Sequence, residues 1–266
     1  MDGSSVELSP RKNSKLVIYL LGAVLPVGAL LLWQVFGQLG YISTMLFPTP
    51  ATIFGAFIQL TTSGLLMEHF QISVTRMVIG FLIGGGLGLL FGIVVGLSKP
   101  VEKALDPTVQ MIRMIPHLAV APLFILWLGI GEESKVLLIA KGAFFPLYIN
   151  TYLGIRSVDN KLFEVARTLG FNRWKLVRLL VIPSAVPNLL LGLRLSLGVS
   201  WVGLVVAELM AATSGIGYLM SDARQFNNTP VVFVGIAIFA VVGVFTDTVV
   251  RLLEKWLLRW KDSYQG

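Results

Sequence analysis

Residues 156–183 read RSVDNKLFEVARTLGFNRWKLVRLLVIP, a charged insert between two long apolar stretches. Asp159 can cap a first short helix with Leu162, Phe163, Ala166 and Leu169 on one face, and Gly170 supplies its stop. Asn172 can cap a second helix carrying Trp174, Leu176 and Val177. Two such helices either dock into something outside a membrane or make up an ordinary basic cytosolic loop, and their spacing alone fits both.

Composition sets the class. Of 266 residues 55% are hydrophobic and only 13% charged, with mean hydropathy +0.81, against roughly 25% charged in soluble domains. Most of such a chain belongs in lipid. The net charge of +7 does not point to nucleic acid, because the basic residues bracket apolar runs and form no patch with interleaved aromatics. With no cysteine, disulfides and thiolate metal sites are excluded, and the two imidazoles, His69 and His117, lie far apart in sequence. No metal site is expected. A nucleophile with a placed base, an HExxH motif and a carboxylate pair in a plausible pocket are all lacking, so no catalytic residue is assigned. A GxxxxGK[ST] phosphate loop is absent as well.

Runs of about 20 apolar residues predict an all-α integral membrane protein with six spans, at 16–36, 77–97, 108–128, 136–155, 188–210 and 231–250. That division makes 16–250 a transmembrane domain with tails at 1–15 and 251–266. The first span is too long for a signal-peptide core and has no small-residue cleavage site behind it, so it is expected to remain as an anchor. Thr49 can cap a short helix with Pro50 in its first turn. That helix and a second one through 65–75 are expected at the outer interface.

Orientation comes from the basic residues. One set of connecting segments holds Arg11, Lys12, Lys15, Lys99, Lys103, six residues from Arg156 to Arg178, and Arg251, Lys255, Arg259 and Lys261; the alternate set holds Arg76, Lys135 and Arg224. Fifteen against three puts both termini and the 156–183 loop in the cytoplasm.

Gly80, Gly84, Gly88, Gly92 and Gly96 recur every four residues and form one drifting stripe on the second span, a surface for close helix packing or a set of hinges. Charges within spans need a partner or a task. Arg113, between Met111 and Met114 and ahead of Pro116 and Pro122, either touches an anion or a gate, or snorkels or pairs with Asp106. The two methionines form a soft constriction or core packing. Lys141 and Arg194 read as structural. Glu208 reads as fixing a helix or loop near the outer mouth, and Asp247 with Arg251 as an i,i+4 ion pair.

Glu164, Ala166, Gly170, Leu180, Ile182 and Pro183 resemble the EAA loop of permease subunits in ATP-binding-cassette importers: Glu-Ala-Ala, three residues, Gly, nine residues, Ile-x-Leu-Pro. Every interval fits; the departures, Val165 and the exchanged Leu180 and Ile182, conserve volume. LFPTP near Phe47, the stretch from Gly64 through His69, Ser73 and Arg76 to Gly80, RMIPHLAVAPLFILWLGIGEESK, FFPLYINTYLGIRSVD and AELMAATSGIGYLM extend the likeness to permeases of the nitrate, sulfonate, taurine and bicarbonate importers, aliphatic sulfonate permeases above all.

The resemblance implies a type I importer fold in the bacterial inner membrane. It implies a homodimer of permeases, an external solute-binding protein, and a cytosolic ATPase dimer that binds the ATP and Mg. It also implies coupling through Glu164, with Phe163, Leu169 and Phe171 as an apolar plug. If the solute is a sulfonate, it stays anionic and offers only acceptors, so its path needs donors, which Arg113, Ser200, Trp201 and exposed backbone amides could supply. A secondary transporter would need repeated halves or an acidic ion site, and neither is visible. A channel would not need an EAA-spaced loop.

Overall fold

The computed structural model describes residues 13–259, and no strand is present among them. The helices are α1 (Asn13–Gln38), α2 (Pro50–Thr62), α3 (Leu65–Leu97), α4 (Lys99–Arg113), α5 (His117–Leu128), α6 (Glu132–Arg156), α7 (Asn160–Thr168), α8 (Arg173–Leu176), α9 (Ile182–Ala211), α10 (Ile216–Gln225) and α11 (Thr229–Leu257). Thr49 caps α2, its hydroxyl accepting from the Thr52 N–H, with Pro50 at the first position.

Four helical stretches among the described residues are long and apolar enough to cross a membrane: Leu65–Leu97, Glu132–Arg156, Arg173–Ala211 and Thr229–Leu257. The expected span at 108–128 is not one helix. It is split between α4 and α5, which meet at 94°. Pro116 stands at the break, where it offers no N–H and biases Ile115 away from helical geometry. Counting that bent pair as one crossing gives five. The expected first span, 16–36, falls within α1, and residues 1–12 of the expected N-terminal tail lie outside the described residues. At the other end α11 continues to Leu257, so residue 250 marks no structural break; residues 260–266 of that tail lie outside the described residues.

A separate interfacial helix at 65–75 does not exist either. It is the first third of α3, whose 33 residues would be about 50 Å long against a hydrocarbon core of about 30 Å. No proline interrupts the segment, and the glycines of its four-residue repeat face a neighbouring helix.

That neighbour is α6. A Cβ on Gly84 would overlap the Ala140 carbonyl and one on Gly88 the Phe144 carbonyl, while those on Gly80 and Gly92 would lie 2.6 Å from the Cβ atoms of Ile139 and Thr151, and one on Gly96 2.9 Å from Ile155 Cβ. In lipid the hydrophobic effect does not drive helices together, so close packing and polar contacts must. α6 also packs on α9, burying Met77, Ile139 and Leu204 at one level and Ala121, Leu138 and Ala207 at another. Away from this core, Leu82, Leu90, Val241 and Phe245 are exposed, as a lipid-facing surface requires. Gly84→Ala is expected to destabilise the fold by about 1–3 kcal/mol, as overpacking does. Gly86, whose Cβ would meet nothing within 4 Å, is the control. Thermal unfolding in detergent should separate the two substitutions, and equal midpoints would refute close α3–α6 packing.

Candidate functional site

The 156–183 segment is built from its caps outward. Asp159 Oδ1 accepts from the Lys161 N–H at 2.9 Å and starts α7; Asn172 Oδ1 accepts from the Lys175 N–H at 2.8 Å and starts α8. Between them Gly170 has φ +70°. Its N–H donates to the Arg167 carbonyl and the Phe171 N–H to the Ala166 carbonyl, both at 3.0 Å. This is a Schellman termination, in which a left-handed residue reverses the chain and satisfies carbonyls the helix end leaves free.

α8 does not end the second helix. It runs through a five-residue π turn, Val177–Val181, into α9. The Pro183 ring would clash with the carbonyl four residues back in a regular helix, and the wider turn leaves room for it. Residues Arg173–Ala211 therefore form one apolar stretch of 39 residues, about 58 Å if straight. It is longer than a bilayer needs and joins the loop directly to the core.

Which residues face outward differs from the expected plug. Ala166 is buried and Phe163 and Phe171 are half-buried, whereas Leu162, Val165, Leu169 and Trp174 are exposed beside an exposed Glu164. Leu162 and Val165 on α7 and Leu169 at its C-cap are spaced i, i+3, i+7 and share one face, with Ala166 and Phe163 on the adjoining side. Of the three residues expected in the plug, only Leu169 lies on the outer surface; Pro183 is half-buried.

At the opposite end of α9 lies a buried polar network. Glu208, 1% exposed, accepts from Ser73 Oγ at 2.7 Å and Arg76 Nη1 at 2.9 Å, and from the Gly217 N–H at 2.9 Å. Arg76 uses all its nitrogens. Nε and Nη2 bind Glu132 bidentately at 2.6 Å, Nη1 also reaches the Ser214 carbonyl, and Nη2 also reaches Ser214 Oγ. Lys135 Nζ donates to Glu132 and to the Ile130 carbonyl. The 212–215 loop and the start of α10 are held further by their own N–H groups, Gly215 donating to His69 Nδ1 and Ile216 to Ser73 Oγ. Gly215, at φ +109°, leaves room that a Cβ would take from the Glu208 carboxylate. Glu208 thus fixes a loop. In the sequence, Arg76 and Lys135 of this network count only as charges outside the spans. The signal they offer is that a glutamate inside an apolar stretch needs an opposite charge somewhere.

A second ladder ties α4 to α6: Tyr148 Oη donates to Asp106 at 2.8 Å, Tyr152 Oη donates to Glu102 at 2.7 Å, and Arg156 pairs with Glu102. Gln110 donates to Asp106 as well, so Asp106 serves Tyr148 and Gln110 and not Arg113. Arg194 pairs with Asp247 and Glu254, and Asp247 with Arg251 at 2.7 Å.

The expected path residues do not converge. Met111, Arg113 and Met114 are exposed around the end of α4, and Arg113 opens on a cavity of about 420 Å³. Ser200 is fully buried, its hydroxyl donating to the Ser196 carbonyl within α9, and Trp201 packs edge-on against Phe239. The cavity wall next to Arg113 carries Lys141, His117 and Asn150 instead. Among the described residues no group of histidines and carboxylates could hold a metal ion.

The fold is a bundle of apolar helices with a capped, partly apolar loop that continues into α9. Residues 84–259 match the family of binding-protein-dependent transport system inner membrane components, and the chain belongs to it. The chain is 57% identical over 93% of its length to 90% of a Bacillus subtilis (strain 168) protein named as an aliphatic sulfonates transport permease. It is 45% identical to an Escherichia coli (strain K12) protein of that name, covering 90% of this chain and 91% of that one. It is 34% identical to the taurine transport system permease protein of Escherichia coli (strain K12), covering 89% of this chain and 88% of that one. Among solved structures, the methionine transporter MetNI in inward-facing conformations aligns with TM-score 0.60 at 15% identity over 74% of this chain and 98% of that one. An amino acid ABC transporter with histidines aligns with TM-score 0.61 at 18% identity over 75% and 97%. These two show the fold. The chain is therefore a non-enzymatic ABC transporter permease subunit of the inner membrane, from a family that works with ATPase subunits.

Proposed function

We propose that this permease imports aliphatic sulfonates, delivered by an extracytoplasmic solute-binding protein and driven by a cytosolic ATPase dimer that carries the ATP and Mg. The observation that carries the coupling is the continuity of the loop with α9: an exposed apolar face on α7, with Trp174 exposed on α8, is joined through the π turn to a helix of the core. Closure of two ATPase subunits around such a face would move α9 as one body. Two copies of the chain, each contributing α1 as a sixth span and holding its termini and the 156–183 loop in the cytoplasm, complete the assembly. The 57% identity to the named sulfonates permease supports the solute; taurine, itself a sulfonate, is the alternative favoured by the 34% relative.

The test is ATP hydrolysis by the permease with its genetically neighbouring ATPase in lipid vesicles, on adding the cognate binding protein loaded in turn with ethanesulfonate, taurine, nitrate or bicarbonate. Stimulation by the ethanesulfonate-loaded form is the expected result. Stimulation only by nitrate or bicarbonate would replace the solute, and failure of the ATPase to associate would overturn the importer.

A further inference from the structure

Arg113 and Lys141 are set apart by their lack of partners. Of the cations within the apolar stretches, Arg76 is paired with Glu132 and Glu208, and Arg194 with Asp247 and Glu254; Arg113 and Lys141 form no ion pair with any described residue. Both line the same cavity, of about 420 Å³, whose wall carries no carboxylate. Lys141 Nζ donates to the Ile115 carbonyl at 3.2 Å and sits 5.8 Å from the Phe145 ring centroid, which leaves two of its three donors unassigned. Along α6, Lys141 is about 13 Å from Glu132 and about 22 Å from Arg156, so it lies inside that helix and not at its end.

A charge at the depth of Lys141 is costly within a span, and a second like charge, the exposed Arg113, facing the same cavity repels it besides. A bound anion offsets both terms. The rest of the wall says what kind of anion. Phe145, Ile149, Leu195 and Val199 line it beside Asn150, whose Nδ2 donates to the Pro146 carbonyl. A bare inorganic anion makes no use of that apolar surface. An anion with a short alkyl tail matches both halves, and the volume lies within the usual range of small-molecule sites.

We propose that Arg113 and Lys141 receive the anionic head of an alkanesulfonate in this cavity, and that its alkyl chain lies along Phe145, Ile149, Leu195 and Val199. The inference rests on the importer reading and gives it a site. Three sulfonate oxygens accept from the guanidinium and the ammonium without any proton transfer, since a sulfonate stays ionised.

The experiment uses the complete transporter, with its ATPase and binding protein, in phosphatidylcholine vesicles, and reads radiolabelled ethanesulfonate taken up per ATP hydrolysed. Lys141→Met is expected to lower that ratio by about tenfold, the loss of one charged hydrogen bond, and Lys141→Arg to restore most of it. Leu195→Trp shortens the apolar wall and is expected to shift preference from butanesulfonate to methanesulfonate, a change that mere loss of folded protein does not produce. Repeating the measurements with anionic lipid added separates solute from headgroup: an effect of Lys141→Met that appears only with anionic lipid would assign the cavity to lipid and overturn the proposal. Uptake by Lys141→Met and by Arg113→Met that both equal wild type would overturn the site alone. A wild-type complex that imports no alkanesulfonate would overturn the importer reading of the solute together with the site.

Discussion

Replacing Glu208 with alanine is expected to cost about 3 kcal/mol of stability, the low end of the loss caused by removing one partner of a buried ion pair. The low end applies because Arg76 keeps its bidentate contact with Glu132. The remaining loss is spread over three groups: Ser73 Oγ on α3 and the Gly217 N–H on α10 lose their acceptor, and Arg76 Nη1 retains only the Ser214 carbonyl. Since Glu208, on α9, joins α3 to the start of α10, the deletion should also release α10 and the 212–215 loop before it. Glu208→Gln is expected to cost less than alanine. One amide oxygen can still accept from Ser73 and Arg76, but the amide N–H₂ then faces the Gly217 N–H, donor against donor. Arg76→Lys should cost more than the glutamine change, because a single ammonium cannot reproduce the fork that engages Glu132, Glu208 and Ser214 at once. Thermal unfolding of the purified permease in detergent gives the ranking. A Glu208→Ala protein within about 1 kcal/mol of wild type would show that the network contributes little.

What the sequence reveals here depends on periodicity and on caps. Asp159, Asn172, Thr49 and Gly170 announce helix ends through local chemistry, and the structure places each at such an end. The glycine repeat predicts a stripe, and the α6 backbone lies against it. Hydropathy cannot show that 108–128 bends through 94° or that 65–75 continues into α3, because apolar content is alike in a straight helix, a broken one and an extended one. Pro116 could have marked the break. The exposed face of α7 differs from the expected one for a related reason. Leu162, Val165 and Leu169 at the C-cap, then Ala166 and Phe163, make up one broad apolar arc, and a nine-residue helix with so wide an arc does not declare which part of it is covered. The partners of Arg76, 56 and 132 residues away, are set by tertiary packing and leave no local trace.

Gly170→Pro is expected to abolish solute uptake while the chain still inserts and folds. Proline fixes φ near about −65°, whereas Gly170 sits at +70°, and it removes the N–H that binds the Arg167 carbonyl. The left-handed turn then cannot form, α7 and α8 lose their relative placement, and Leu169 and Trp174 no longer present together. Gly170→Ala keeps the N–H and adds only the strain of a Cβ in the left-handed region, about 1–2 kcal/mol; it should retain partial uptake. Glu164→Lys tests the same surface by charge. Glu164 is exposed among the α7 residues, so reversing it should leave the fold intact yet place a cation where a basic group of the ATPase is expected, lowering both association and uptake. Residues 164 and 170 lie outside the stretches long enough to cross a membrane, so all three variants should be recovered in the membrane at wild-type amounts. Uptake by Gly170→Pro or Glu164→Lys equal to that of wild type would mean that this segment does not transmit ATPase closure to α9, however continuous the two are.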